Sequence, residues 1–305
     1  MNTGTTRAAG VGLAVLAGAG LALQSRVNGE LGRQLGDGIA AATISFGVGL
    51  IVLLFALPFM RTGVRRVVAA VRGGGLRWWQ CVGGACGAFL VTTQGLTVPL
   101  LGVSVFIVAL VAGQSTSSLA VDRAGIGPGG ARPVTRNRLV GAGLCVVAVF
   151  VAVSTHLGDP RAIGLAVLPL LAGLGLAWQQ GVNGRVAAAA GSPWPATLIN
   201  FAVGTCALLL ALAVEYALRG APPGNLPPQF WLYLGGPLGI TFIAIAAMVV
   251  HRIGVLLLGL GMIAGQILGA LVIDAIAPGA AGRPDALTIT GALLTLVAVR
   301  IAARG

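Results

Sequence analysis

Lysine is absent from this 305-residue chain, and acidic side chains number only seven. Charged residues of both signs make up 9% of the chain, aromatics 5%, histidine occurs twice and cysteine four times. Each shortage excludes something. So few charges cannot clothe a soluble globule of this size with polar surface. Cys81, Cys86, Cys145 and Cys206 lie inside apolar runs with neither CxxC spacing nor a neighbouring histidine, so no disulfide framework or zinc site is indicated. No P-loop, HExxH helix or Ser/His/Asp constellation is present, which removes the residue basis for ATP hydrolysis and for proteolysis within a membrane. The expectation is a protein that is not an enzyme and needs no cofactor and no metal.

What the chain has in quantity is apolar sequence: 57% hydrophobic residues and a mean hydropathy of +0.97. A bilayer is the environment that suits it. Its 19 cations, all arginine, give a net charge of +12. In a soluble protein that charge would suggest nucleic acid, but these arginines fall between long apolar runs, where they orient a membrane protein. No nucleic-acid partner is expected.

A spanning helix needs about 20 predominantly apolar residues. Ten such runs occur, near 8–27, 38–59, 78–97, 101–121, 138–155, 162–181, 195–217, 230–249, 253–274 and 286–302. The connections around Pro99 and around His251 and Arg252 are so short that the helices they join must be antiparallel neighbours. With the N-terminus inside, 14 of the 19 arginines fall on the inner side and five, Arg26, Arg33, Arg161, Arg219 and Arg283, outside. Both termini are therefore expected in the cytoplasm. Arg7 followed by an apolar stretch imitates a cleavable signal peptide, but a second copy of the motif that ends this run lies deep in the chain, so the run is read as helix 1 of the mature protein.

That motif is LQSRVNG at residues 23–29, answered by WQQGVNG at 178–184. Gln24 and Gln179, Asn28 and Asn183, Ser45 and Asn200, Phe46 and Phe201, and Gly49 and Gly204 are each offset by 155. Gly83 and Gly235, Gly87 and Gly239, Gly113 and Gly265, Gln114 and Gln266, and Asp122 and Asp274 are each offset by 152. The chain is thus two homologous halves, 1–157 and 158–305, of five helices each. Five is odd, so the second half enters the bilayer upside down. Inverted repeats let two halves exchange inward-open and outward-open shapes about one site. Asn28 is expected near the outer mouth and Asn183 near the inner one.

Gln24 with Asn28, and Gln179 with Asn183, share a helical face. Such amides are costly in hydrocarbon unless paired, so they either bridge or cap helices or line a wet pathway. Ser45 with Phe46, and Asn200 with Phe201, either contact substrate or pack helix on helix. Gln114 and Gln266 flank stripes of small residues, Ala109-Gly113-Ser117 and Gly261-Gly265-Gly269. Those stripes read as packing faces within the subunit or between two copies in a homodimer. Asp122 and Asp274 are the duplicated acids: interfacial anchors, or candidates for proton coupling. Trp178 is a candidate for stacking on a planar substrate.

Taken together, LQSRVNGELG followed by ATISFGVG, and WQQGVNG followed by TLINFAVG, resemble the YdcZ-like branch of the drug/metabolite transporter superfamily over nearly the whole length. The resemblance implies an all-α membrane protein of ten helices that exports small molecules across the inner membrane from a cavity between its halves. The candidate substrate contacts are Gln24, Asn28, Ser45, Phe46, Gln114, Trp178, Gln179, Asn183, Asn200, Phe201 and Gln266. A lipid-linked substrate translocase and a membrane assembly factor without flux are the alternatives.

Overall fold

Apolar residues whose backbone groups have no water to bond must satisfy those groups within the segment, and in a bilayer that means helix. The computed structural model, which describes residues 3–131, 133–154, 160–219, 225–279 and 282–304, is accordingly all helical apart from short turns and one isolated bridge. The elements are α1 (Thr3–Leu35), α2 (Gly38–Phe55), α3 (Leu57–Arg72), α4 (Gly84–Arg123), α5 (Arg136–Val153), α6 (Pro160–Ala190), α7 (Pro193–Arg219), α8 (Gly235–Ile276) and α9 (Ala286–Ala302). Single 3-10 turns at Trp78–Cys81 and Phe230–Leu234 precede α4 and α8.

Among the described residues these nine helices hold ten spans and one extra element. At 40 and 42 residues, α4 and α8 are each twice the length a bilayer takes. In α4 the break is explicit. Pro99 removes a donor, and Gly102 adopts φ 79°, ψ 165°, a conformation closed to side-chain-bearing residues. Neighbours along α6 show the reversal: Gly83 and Gly87 face Asn183 and Gln179, whereas Gly113 and Val121 face Leu170 and Gly181 in the opposite sense. The same holds for α8 against α1. Gly235, Gly239 and Phe242 meet Asn28, Gln24 and Gly20 in descending order, and Gly261, Gly265 and Gly269 then meet Ala14, Val15 and Ala19 in ascending order. The turn expected at His251 and Arg252 falls among residues 246–258, whose side chains lie outside the described set.

The extra element is α3. The span expected over 38–59 ends at Phe55, and a separate amphipathic helix, begun by Pro58 in its first turn, carries Arg61, Arg65, Arg66 and Arg72.

Contacts repeat across the halves at the offsets read from the sequence. A methyl group built on Gly113 would lie 1.9 Å from the Leu170 carbonyl oxygen, and one on Gly265 would lie 1.9 Å from that of Val15. Gly84 against the Asn200 carbonyl and Gly236 against that of Ser45 match at 2.1 Å. In the α5–α9 pair, Gly141 packs on Ala298 and Ala302 while Gly291 packs on Ala148 and Ala152, an offset of 150. Reciprocal pairs of this kind are what a pseudo-twofold axis between two repeats produces.

The small-residue stripes are covered within the subunit: Gly261, Gly265 and Gly269 by α1, Gly113 by α6. Packing within the subunit, one of the two roles expected of these stripes, accounts for these glycines. Small residues occur here because two backbones approach too closely for a side chain.

Candidate functional site: an amide-lined cavity between the repeats

The two α2-type helices meet at the pseudo-twofold axis. Phe46 of α2 and Phe201 of α7 place their ring centroids 4.9 Å apart, tilted by 32°. Each ring covers a glycine of the other half, Phe46 over Gly204 and Phe201 over Gly49. A cavity of about 380 Å³ opens beside them. Gln24, Phe46, Gln179, Asn183, Asn200, Phe201 and Gln266 of the expected set line it, with Gln180, Phe242 and Met262 in addition. Among the described residues, no ionisable side chain lines it.

Hydrogen bonding in the wall is incomplete. Asn200 Oδ1 accepts from Gln179 Nε2 at 2.8 Å and from Asn183 Nδ2 at 3.0 Å. Gln179 Oε1 and Gln266 Oε1 are buried acceptors without partners among the described residues. Stranding an acceptor costs about 1–3 kcal/mol, so these two oxygens are suited to a ligand's donors or to water.

Asn28, Ser45, Gln114 and Trp178 stand outside this lining. Trp178 stacks on Trp79 at 6.3 Å and 23°, a contact at the start of α4 that supplies the partner the sequence reading assigned to substrate. Gln114 Nε2 donates to Gln180 Oε1 at 3.1 Å and lines a second cavity of about 380 Å³, which shares Gln180 with the first and reaches Asp122 and Gly127–Gly130. Asn28 is fully buried, its Nδ2 donating to Gln94 Oε1 at 2.7 Å. Gln94 Nε2 in turn donates to Ser25 Oγ at 3.0 Å. Sequence reasoning missed Gln94 because Ala246 stands at the equivalent place, so no repeat drew attention to it.

The two mouths differ although the repeats match. At the Asn28 end, Gln24 Nε2 donates across the halves to Gly235 O at 2.9 Å. There too Asp274, buried, reaches across to accept from Val103 N at 3.1 Å and Ser104 N at 2.6 Å. Those N–H groups open the second limb of α4 after the Gly102 break and have no partner of their own within the helix, so a carboxyl oxygen there is an N-cap. At the Asn183 end, among the described residues, the equivalents bond within their own halves. Gln179 bonds Asn200, and Asp122 pairs with Arg138. Ser25 is 0% exposed, whereas its counterpart Gln180 is exposed. The Asn28 mouth is stitched shut and the Asn183 mouth is not.

A model for a protein family described as "Putative inner membrane exporter, YdcZ" matches residues 9–151 and again 164–301. The chain belongs to this family. It is a multi-pass inner-membrane protein of the drug/metabolite transporter superfamily, and the double match coincides with the repeat seen in the reciprocal contacts. No curated protein and no solved structure matches the chain.

The Asp274 cap permits a graded test. Asp274→Asn keeps one acceptor for two N–H groups and Asp274→Ala keeps none, each lost bond costing about 1–3 kcal/mol. Thermal unfolding in detergent is expected to rank native above Asn above Ala. Equal midpoints for all three would show that the cap contributes nothing.

Proposed function

We propose that this exporter moves a small, uncharged organic metabolite or drug by alternating access, with both termini in the cytoplasm and the Asn183 mouth facing inward. The observation that carries the reading is the asymmetry between equivalent groups. Gln24 and Asp274 bond across the halves at one mouth, while Gln179 and Asp122 bond within their halves at the other. If Gln24 gave up Gly235 O while Gln179 took the equivalent Gly83 O, the closed mouth would open and the open one close with the same kind of bond, as inverted repeats allow. Gln24, Gln179, Asn183, Asn200 and Gln266 supply the polar contacts to substrate, and Phe46 and Phe201 the apolar ones. A cavity walled by amides and rings, with no opposite charge to offset desolvation, disfavours an ionised ligand. Asp122 and Asp274 are the candidates for proton coupling, because each is held at one mouth and is released when that mouth changes partners.

Purified protein in liposomes, given a panel of neutral and charged metabolites, should move a neutral compound, and faster with a proton gradient imposed. Gating is read by cysteine labelling in a background lacking the four native cysteines. Gln24→Ala removes the cross-half bond to Gly235 O, worth about 0.5–1.5 kcal/mol, from the outer closure and should shift the population several-fold towards outward-open. Asn183→Ala should shift it the other way. The same labelling change in both variants would leave the motif as helix packing and remove the two-gate reading.

A further inference from the structure

Helix α3 breaks the symmetry of the fold. The residues 155 positions later continue α7 as far as Arg219, which is the only cation between 212 and 227. In the first half the same stretch turns aside as a separate helix with four arginines. Arg61, Arg65 and Arg72 are four and seven residues apart, so they share one face, and all three are exposed. Met60 and Val67 form the opposite, buried stripe. No acidic residue occurs between Asp37 and Asp122, so this positive face has no local counter-charge. Flanking it, Phe55 is 81% exposed, Phe59 94% and Trp78 72%.

Exposed aromatics beside an arginine face fit an element lying in the interface plane, rings among acyl chains and guanidinium groups among headgroups. We propose that α3 is a docking site for anionic phospholipid headgroups, and that lipid bound there steadies the Asn183 mouth. The charge complementarity selects an anionic lipid over a zwitterionic one. The link to the mouth is steric. Val67 packs with Val186, Ala190 and Ala196, and Gly63 abuts Pro195 and the Ala190 carbonyl, all around the α6–α7 turn. Ala187, Pro193 and Ala196 of that turn also line the cavity. The assignment to the inner leaflet rests on the orientation proposed above; lipid binding is measured without reference to transport, so either can fail alone.

The test uses the full chain in neutral detergent, with native mass spectrometry counting bound lipid and hydrogen–deuterium exchange following residues 186–196. Phosphatidylglycerol is expected to bind well above phosphatidylcholine and to slow exchange at the turn. The variant Arg61→Gln/Arg65→Gln/Arg72→Gln should weaken phosphatidylglycerol binding on the order of 100-fold, since each cation near an anionic surface contributes about a factor of five. The control Arg123→Gln/Arg136→Gln/Arg304→Gln removes equal charge elsewhere and should keep binding within a few-fold. If the glutamine variant folds poorly, the corresponding three Arg→Lys changes should retain binding. Equal loss in both triple variants, equal binding of the two lipids, or displacement of phosphatidylglycerol by excess inorganic phosphate would overturn lipid docking. Unchanged exchange at 186–196 despite bound lipid would overturn the coupling to the mouth.

Discussion

Gly265→Leu is expected to lower stability by about 3 kcal/mol or more and to disrupt assembly of the bundle. The first side-chain carbon alone would sit 1.9 Å from the Val15 carbonyl oxygen and 2.9 Å from the Val15 Cα. Neither is a side chain that can swing away, so α8 must move off α1, and forced overpacking typically costs about 1–3 kcal/mol, occasionally more. Gly113→Leu should fail to a similar degree, because its methyl would meet the Leu170 carbonyl at the same 1.9 Å. Gly143→Leu is the control, with nothing within 4 Å and better helix propensity than glycine. Thermal unfolding and gel filtration in detergent measure all three. A Gly265→Leu protein that melts with the native chain would show that this face looks onto lipid.

The second large effect separates two residues that occupy the same place in the repeat. Asn200→Leu removes the one oxygen that accepts from both Gln179 and Asn183, leaving two buried or half-buried amide donors unpaired at about 1–3 kcal/mol each. Unfolding should move down sharply and flux through the cavity should be lost. Ser45→Ala, 155 positions earlier, should be nearly neutral in stability, because Ser45 Oγ is buried without a partner already. Comparable losses in the two variants would mean that the mouths carry the same hydrogen bonds, and the asymmetry behind the proposed alternating access would go with them.

Much of the architecture could be read before any coordinates. Ten apolar runs, Pro99, and the offsets of 155 and 152 were enough to place most of the spans, the break in α4 and the repeat. The cavity was legible in part: seven of the expected contacts line it, because an amide that appears twice inside a hydrocarbon-spanning helix must be satisfied by protein or water. Gln94 was not legible, since the reading relied on duplication and Ala246 breaks it. Nor was the partner of Trp178 legible, because a ring's partner depends on a distant segment, here the 3-10 turn that holds Trp79.

The sequence by itself determined that this chain is a helical membrane protein of two inverted halves in the exporter family, because backbone satisfaction in lipid and a duplicated pattern are both properties of local residue order. Only the tertiary structure decided which mouth is closed. Gln24 and Gln179 are the same residue in the same motif, as are Asp274 and Asp122, yet one of each pair bonds across the halves and the other at home. Nor does hydropathy distinguish a face turned to lipid from one turned to the bundle: Phe106 is fully buried and Phe150 is 70% exposed. In water an apolar period marks the core, but in a bilayer both faces are apolar, so burial there is set by helix contact and not by composition.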